Sequence, residues 1–161
     1  MRSRDDVMQG YVGAIEDLTK ANTDFRRVVH TATHLQLVMM ALKPGEEIGG
    51  DAQSSHDRFF RIEKGKGQIR IGGARIMVAA GDAIIVPAGV RHTLTNTGKR
   101  RMRLYTIYAP PSHADHLVEP TRAIAMAHAQ AREQARSPTA VAEQSRKDMI
   151  DEGSPVRQPA R

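Results

Sequence analysis

The chain contains no cysteine and no tryptophan, and only three phenylalanines and three tyrosines among its 161 residues. Without thiols there is no disulfide framework and no thiolate nucleophile or ligand, although this leaves the compartment open. With aromatics at 4%, the core has to be built mainly from Val, Ile, Leu, Met and Ala. No apolar run is long enough to cross a bilayer as a helix, and no hydrophobic signal segment follows Met1-Arg2-Ser3-Arg4. The expectation is a soluble, cytoplasmic protein with no membrane partner. The length suits one domain around one core, and no internal repeat is visible.

What is present in excess is positive charge, a formal +6. After Tyr108 the seven Lys/Arg are matched by seven Asp/Glu, so the whole excess belongs to the first two thirds of the chain. Its densest cluster, Lys99-Arg100-Arg101 with Arg103, sits in an expected hairpin. No recognition helix, stacking platform or zinc-finger spacing accompanies it, so it reads as a solvated turn. Nucleic acid is rejected as a partner.

Three zones follow from the hydrophobic pattern. Residues 1–24 are polar, with Tyr11, Ile15 and Leu18 at helix-compatible spacing, and form an N-terminal arm. Residues 25–112 carry strands near 26–31, 34–42, 57–63, 67–72, 75–79, 82–87, 91–97 and 102–108, separated by Gly, Pro and Asn turns. The third zone begins at residue 113. Residues 113–136 include an Ala-, Arg- and Gln-rich stretch after Pro120 that reads as a helix from Thr121 to Arg136. Residues 137–161 are polar with three prolines and read as a mobile tail. In strand 34–42, one of Met39 and Met40 should line the interior as a gap filler.

The most informative stretch is GDAIIVPAGVRHTLTN, from Gly81 to Asn96. A turn at Gly81-Asp82 leads to the apolar run Ala83–Val86, a second turn at Pro87-Ala88-Gly89, and an alternating strand. His92 shares the parity of Leu94 and so points to the apolar interior, where it could bind a metal or move a proton. The alternative is a core histidine satisfied by a backbone carbonyl. His30 and His34 have zincin-like spacing, but on a strand such positions stand about 13 Å apart, too far for one ion. They read as structural, and His113 and His116 as surface residues.

The spacing of Gly81, Pro87, Gly89, His92 and Asn96 resembles the second signature of the cupin superfamily. Upstream, Pro44-Gly45, the strand Phe59-Phe60-Arg61-Ile62 and the turn Gly65-Lys66-Gly67 resemble its first signature in outline. The resemblance covers roughly residues 34–110. It implies an all-β fold, a double-stranded β-helix or jelly-roll barrel with one pocket inside. It also implies a homodimer, because cupins commonly pair through sheet edges and exchanged N-terminal arms. The apolar Phe59, pointing outward, should have a cover.

The family's metal-ligand positions fall here on Asp51, Gln53, Arg58 and His92, and only His92 is the residue the family pattern calls for. Asp51 is an acceptable oxygen ligand and Gln53 a weak one. Arg58 has five donors and no acceptor, so it cannot ligate. Arg58 shares the parity of Phe60 and Ile62, which sends its head into the pocket, where only Asp51 or Asp57 could neutralise it. His56 is a substitute ligand if its loop swings inward, and otherwise a solvated histidine.

Two readings stay open. In one, Asp51, Gln53, His92 and His56 hold a divalent ion, Zn, Mn, Fe or Ni, in an isomerase, lyase or dioxygenase with His92 as the catalytic ligand. In the other, which the electrostatics favour, there is no metal cofactor. Arg58, Asp51, Gln53 and His92 then bind a small polar, anionic molecule, with His92 as anchor or proton-transfer group. A vestigial pocket in an interaction protein is a third possibility.

Overall fold

The structure is a computed structural model that describes residues 10–50 and 54–136. Asp51 and Gln53, and the tail 137–161, lie outside the described residues. Ten strands and two helices are formed by those residues. They are α1 (Ile15–Ala21), β1 (Arg26–Thr31), β2 (Gln36–Leu42), β3 (Glu47–Gly50) and β4 (Asp57–Lys64). β5 (Lys66–Ile71), β6 (Ala74–Ala79), β7 (Ala83–Val86), β8 (His92–Asn96) and β9 (Met102–Ala109) follow. β10 (Val118–Glu119) and α2 (Arg122–Arg136) complete the order. The chain divides after residue 122 into two compact units, and the described part of the second is helix.

The strands of the first unit form two antiparallel sheets, β10-β1-β2-β9-β4-β7 and β3-β8-β5-β6. Strands remote in sequence lie side by side, as when β9 runs between β2 and β4, and this is the double-stranded β-helix. The alternation that marks each strand in the sequence is what aims it. In β4 Arg58, Phe60 and Ile62 are buried, and in β9 Met102, Leu104, Thr106 and Tyr108. In β8 His92, Leu94 and Asn96 are buried. Registers turn these into rows across the interior. Gln36, Tyr108, Arg58 and Val86 stand in one row, and Val38, Thr106, Phe60 and Ile84 in the next. On the facing sheet Gly50, His92 and Ile71 make a row, and Ile48, Leu94 and Ile69 the one beyond it. The barrel is therefore polar at one end and apolar at the other.

Two strands are not legible in the sequence. β3 (EIGG) has one apolar residue and exists because β8 supplies its hydrogen bonds. β10 is two residues long and pairs with β1, where the carboxylate of the fully buried Glu119 accepts from Arg26. Asn96 ties strand ends together. Its amide donates to Leu42 O and Arg100 O, each at 2.9 Å, and its Oδ1 accepts from Gly98 N. Gly81 closes its turn at φ 97°, a conformation glycine adopts without Cβ strain. Met40 faces the interior, while Met39, on the other face of β2, is buried too. The arm helix α1 packs on the outer side of β9 and β4, where Arg103 Nη1 donates to Lys20 O. Arg103 is thereby withdrawn from the basic turn.

The polar end of the barrel as candidate functional site

The guanidinium of Arg58 is sandwiched. Its Cζ lies 3.9 Å from the centroid of Tyr108 and 4.5 Å from that of Phe60. Both rings come from interior-facing positions, one beside it on β9 and one two residues along β4, so strand parity and the β4–β9 register together build the sandwich. Arg58 is 5% exposed. Its Nε donates to Thr106 Oγ1 at 3.3 Å, while Nη2 is buried with no partner among the described residues. Burial pulls its pKa down. The Tyr108 phenol acts the other way, and Arg26 adds to the lowering.

Among the described residues no carboxylate pairs with Arg58. The expectation that Asp57 could neutralise it is corrected. Asp57 is exposed, at the outward parity, and its Oδ1 accepts from Ala88 N at 2.8 Å. Its short side chain serves the β7–β8 turn.

His92 enters from the opposite sheet, 3% exposed, its ring edge-on to Phe60 with centroids 5.8 Å apart. Phe60 thus touches both polar groups. Nδ1 of His92 lies 3.1 Å from Val90 O. A carbonyl only accepts, so Nδ1 carries the proton. Nε2 is buried without a partner among the described residues. Burial lowers the His92 pKa most, the bond to Val90 opposes this, and the charge of Arg58 lowers it further. Burial therefore favours the neutral ring, whose lone pair is on Nε2. Gly50, its cross-strand partner, leaves room for the ring: a Cβ there would stand 2.6 Å from His92 Cε1.

His56 does not swing toward His92. Its Nδ1 donates to Pro110 O at 2.7 Å and its ring meets Tyr108 edge-on, with centroids 6.1 Å apart. This bond ties the residues before β4 to the segment after β9.

Three contributors do not emerge from the sequence reading. Tyr108 reads there only as the end of a strand, although its parity with Arg58 across β9 and β4 could have revealed it. Gln36, fully buried, donates to Thr31 Oγ1 and His113 O and accepts from the backbone N–H groups of Ser112 and His113. It holds residues 112–113 beside the polar end. His113, expected at the surface, is half-buried and sits edge-on to Tyr108 at 4.8 Å. No local pattern signals Gln36 or His113, because both depend on the path of the chain after Pro110.

A second cleft, of about 320 Å³, lies outside the barrel along β1 between Tyr11, His30, Met39 and Asp115. Its charges are engaged: Asp115 accepts from Thr31 Oγ1 and faces His116, and Arg27 pairs with Asp24. Tyr11 stacks on His30. The barrel interior is the better candidate.

A jelly-roll barrel with a cationic, aromatic-lined polar end is the class of protein that fold and site define. Residues 38–108 match the model of the cupin domain family. The chain is 39% identical over 123 residues to the uncharacterized protein YrkC of Bacillus subtilis, covering 73% of this chain and 66% of that protein. It is 37% identical over 109 residues to an uncharacterized protein of Acanthamoeba polyphaga mimivirus, 65% of this chain and 68% of that one. The match thus spans about two thirds of the length of these relatives. The crystal structure of BH2720 from Bacillus halodurans is similar at 42% identity and a TM-score of 0.71, covering 74% of this chain and 95% of that one. The chain belongs to the cupin superfamily.

The fold family implies a metal, and the donor set can be tested against one. Of the four ligand positions, Asp51 and Gln53 lie outside the described residues; of the two described, Arg58 has no lone pair to give and His92 offers one at Nε2. The described residues contain no cluster of three or more His, Asp or Glu suited to a metal ion. A dication would sit near a buried guanidinium that no described carboxylate neutralises, so the described residues do not fit a resident divalent ion.

Proposed function

We propose that this protein binds a small anionic molecule at the polar end of its barrel, without a resident transition metal. The observation that carries the reading is the buried Arg58 guanidinium with Nη2 unpartnered among the described residues and no described carboxylate beside it. A desolvated cation of this kind is costly unless something of opposite charge completes it. An anion does so through a charge-assisted hydrogen bond. Phe60 and Tyr108 pack against the guanidinium, which helps to pre-organise it. His92 offers a second polar contact, and Asp51 and Gln53 are proposed to orient the ligand as the resemblance implies.

The test is thermal unfolding of the full chain with a panel of small carboxylates. The wild type gains stability with ligand concentration, and Arg58→Met does not. Absence of any anion-dependent gain overturns the reading. Metal analysis of untagged protein tests the other half: a stoichiometric transition metal overturns the metal-free state and revives the small-molecule enzyme with an ion on His92.

We also propose a homodimer. Ile85 is 70% exposed and is the cross-strand partner of the half-buried Phe59, whose ring centroid lies 6.2 Å from that of Tyr105. A second copy of the chain would bury this apolar face.

A further inference from the structure

We propose that the molecule held in the barrel is a hydroxycarboxylate, with its carboxylate on Arg58 Nη2 and its hydroxyl donating to His92 Nε2. This rests on the anion-binding reading above and deepens it.

Val90 sets the polarity of the imidazole. Its carbonyl can only accept, so the 3.1 Å contact fixes the proton of His92 on Nδ1 and leaves Nε2 as a pure acceptor. An acceptor buried at Nε2 is satisfied by a donor and repelled by a bare anion. Arg58 has the opposite demand, since it only donates. Both groups lie against one ring, Phe60, with the guanidinium 4.5 Å and the imidazole 5.8 Å from its centroid. A ligand meeting both needs must carry an anionic acceptor and a neutral donor. A plain carboxylate answers Arg58 and leaves Nε2 unpaired, whereas an alcohol answers Nε2 and leaves the cation. The hydroxycarboxylate answers both, and Phe60 gives its carbon skeleton an apolar wall.

Charge decides between carboxylate and phosphate. A phosphate dianion needs a second cation, and the other arginine whose field reaches Arg58 is Arg26, which is committed to the buried Glu119. One guanidinium with no described carboxylate beside it matches one carboxylate.

The experiment is calorimetry on the full chain near neutral pH with two matched monocarboxylate pairs, lactate against propanoate and 3-hydroxybutanoate against butanoate. Members of each pair differ by one hydroxyl. In at least one pair the hydroxy acid should bind about tenfold more tightly, the order expected for pairing a buried acceptor. His92→Phe should bring that acid to the affinity of its deoxy partner, and Arg58→Met should abolish binding of both. Equal affinities within both pairs, with binding still dependent on Arg58, overturn the hydroxyl assignment and leave the anion site standing. No binding that depends on Arg58 overturns both. Should His92→Phe fail to fold, the wild-type pairs still decide. Nitrogen NMR of His92 supplies an independent readout: a proton found on Nε2 rather than Nδ1 overturns the inference.

Discussion

Gly50 and His92 face each other across the β3–β8 ladder, and the imidazole occupies the space that a side chain at Gly50 would need. The ring is also tethered through Nδ1 to Val90, so it has little freedom to retreat. The absence of a Cβ on one strand thus sets the pose of the acceptor on the next.

Gly50→Ala should therefore displace the ring and break its bond to Val90. The expected cost is about 1–3 kcal/mol of stability, the range for overpacking a filled interior. Chemical denaturation measures it, and a variant as stable as wild type would show that the ring moves freely.

Stability should depend on pH through His92. Its folded pKa is depressed, first by burial, so the unfolded chain takes up the proton more readily. The stabilising contribution of the neutral ring is complete above the unfolded pKa of about 6.5 and is lost as pH falls from there toward the folded value. Denaturation of wild type and His92→Phe across that window should show the wild type losing its advantage on acidification. Parallel curves would contradict this.

Arg58→Met should leave the ligand-free protein as stable as wild type or stabler. Replacing a buried charge that no described carboxylate pairs with by an apolar chain of similar volume removes a desolvation penalty. A loss of several kcal/mol in denaturant titrations would mean that a partner outside the described residues neutralises the guanidinium.

Glu119→Ala should cost about 3–5 kcal/mol, because it leaves Arg26 partly buried without its carboxylate. It should also weaken β10, whose pairing with β1 joins Arg26 to Glu119 directly. Thermal unfolding reads the first effect and amide exchange at Val118–Glu119 the second.

Ile85→Glu should shift the proposed dimer to monomer in sedimentation, by placing a charge on the exposed apolar face. A monomeric wild type would refute the dimer outright.

Much of the barrel can be read along the chain. DRFFRIEK and MRLYTIYA read as strands, and the alternating burial found along them and along HTLTN follows the period-two parity that aims Arg58 and His92 at the interior. Side-chain direction in a strand has period two and needs only local information. The helix after Pro120 is legible for a similar reason, since Ala, Gln and Arg favour helix at each residue separately.

Tertiary structure decided the rest. β3 is a strand only because β8 offers it hydrogen bonds, and His56 turns to Pro110 because the chain after β9 passes beside it. The stacking of Arg58 between Phe60 and Tyr108, and the meeting of Phe60 with His92 from the other sheet, follow from register and from the closing of two sheets on each other. Local sequence determines which way a side chain points from its strand. What it meets there depends on partners tens of residues away, brought near only when the whole barrel closes.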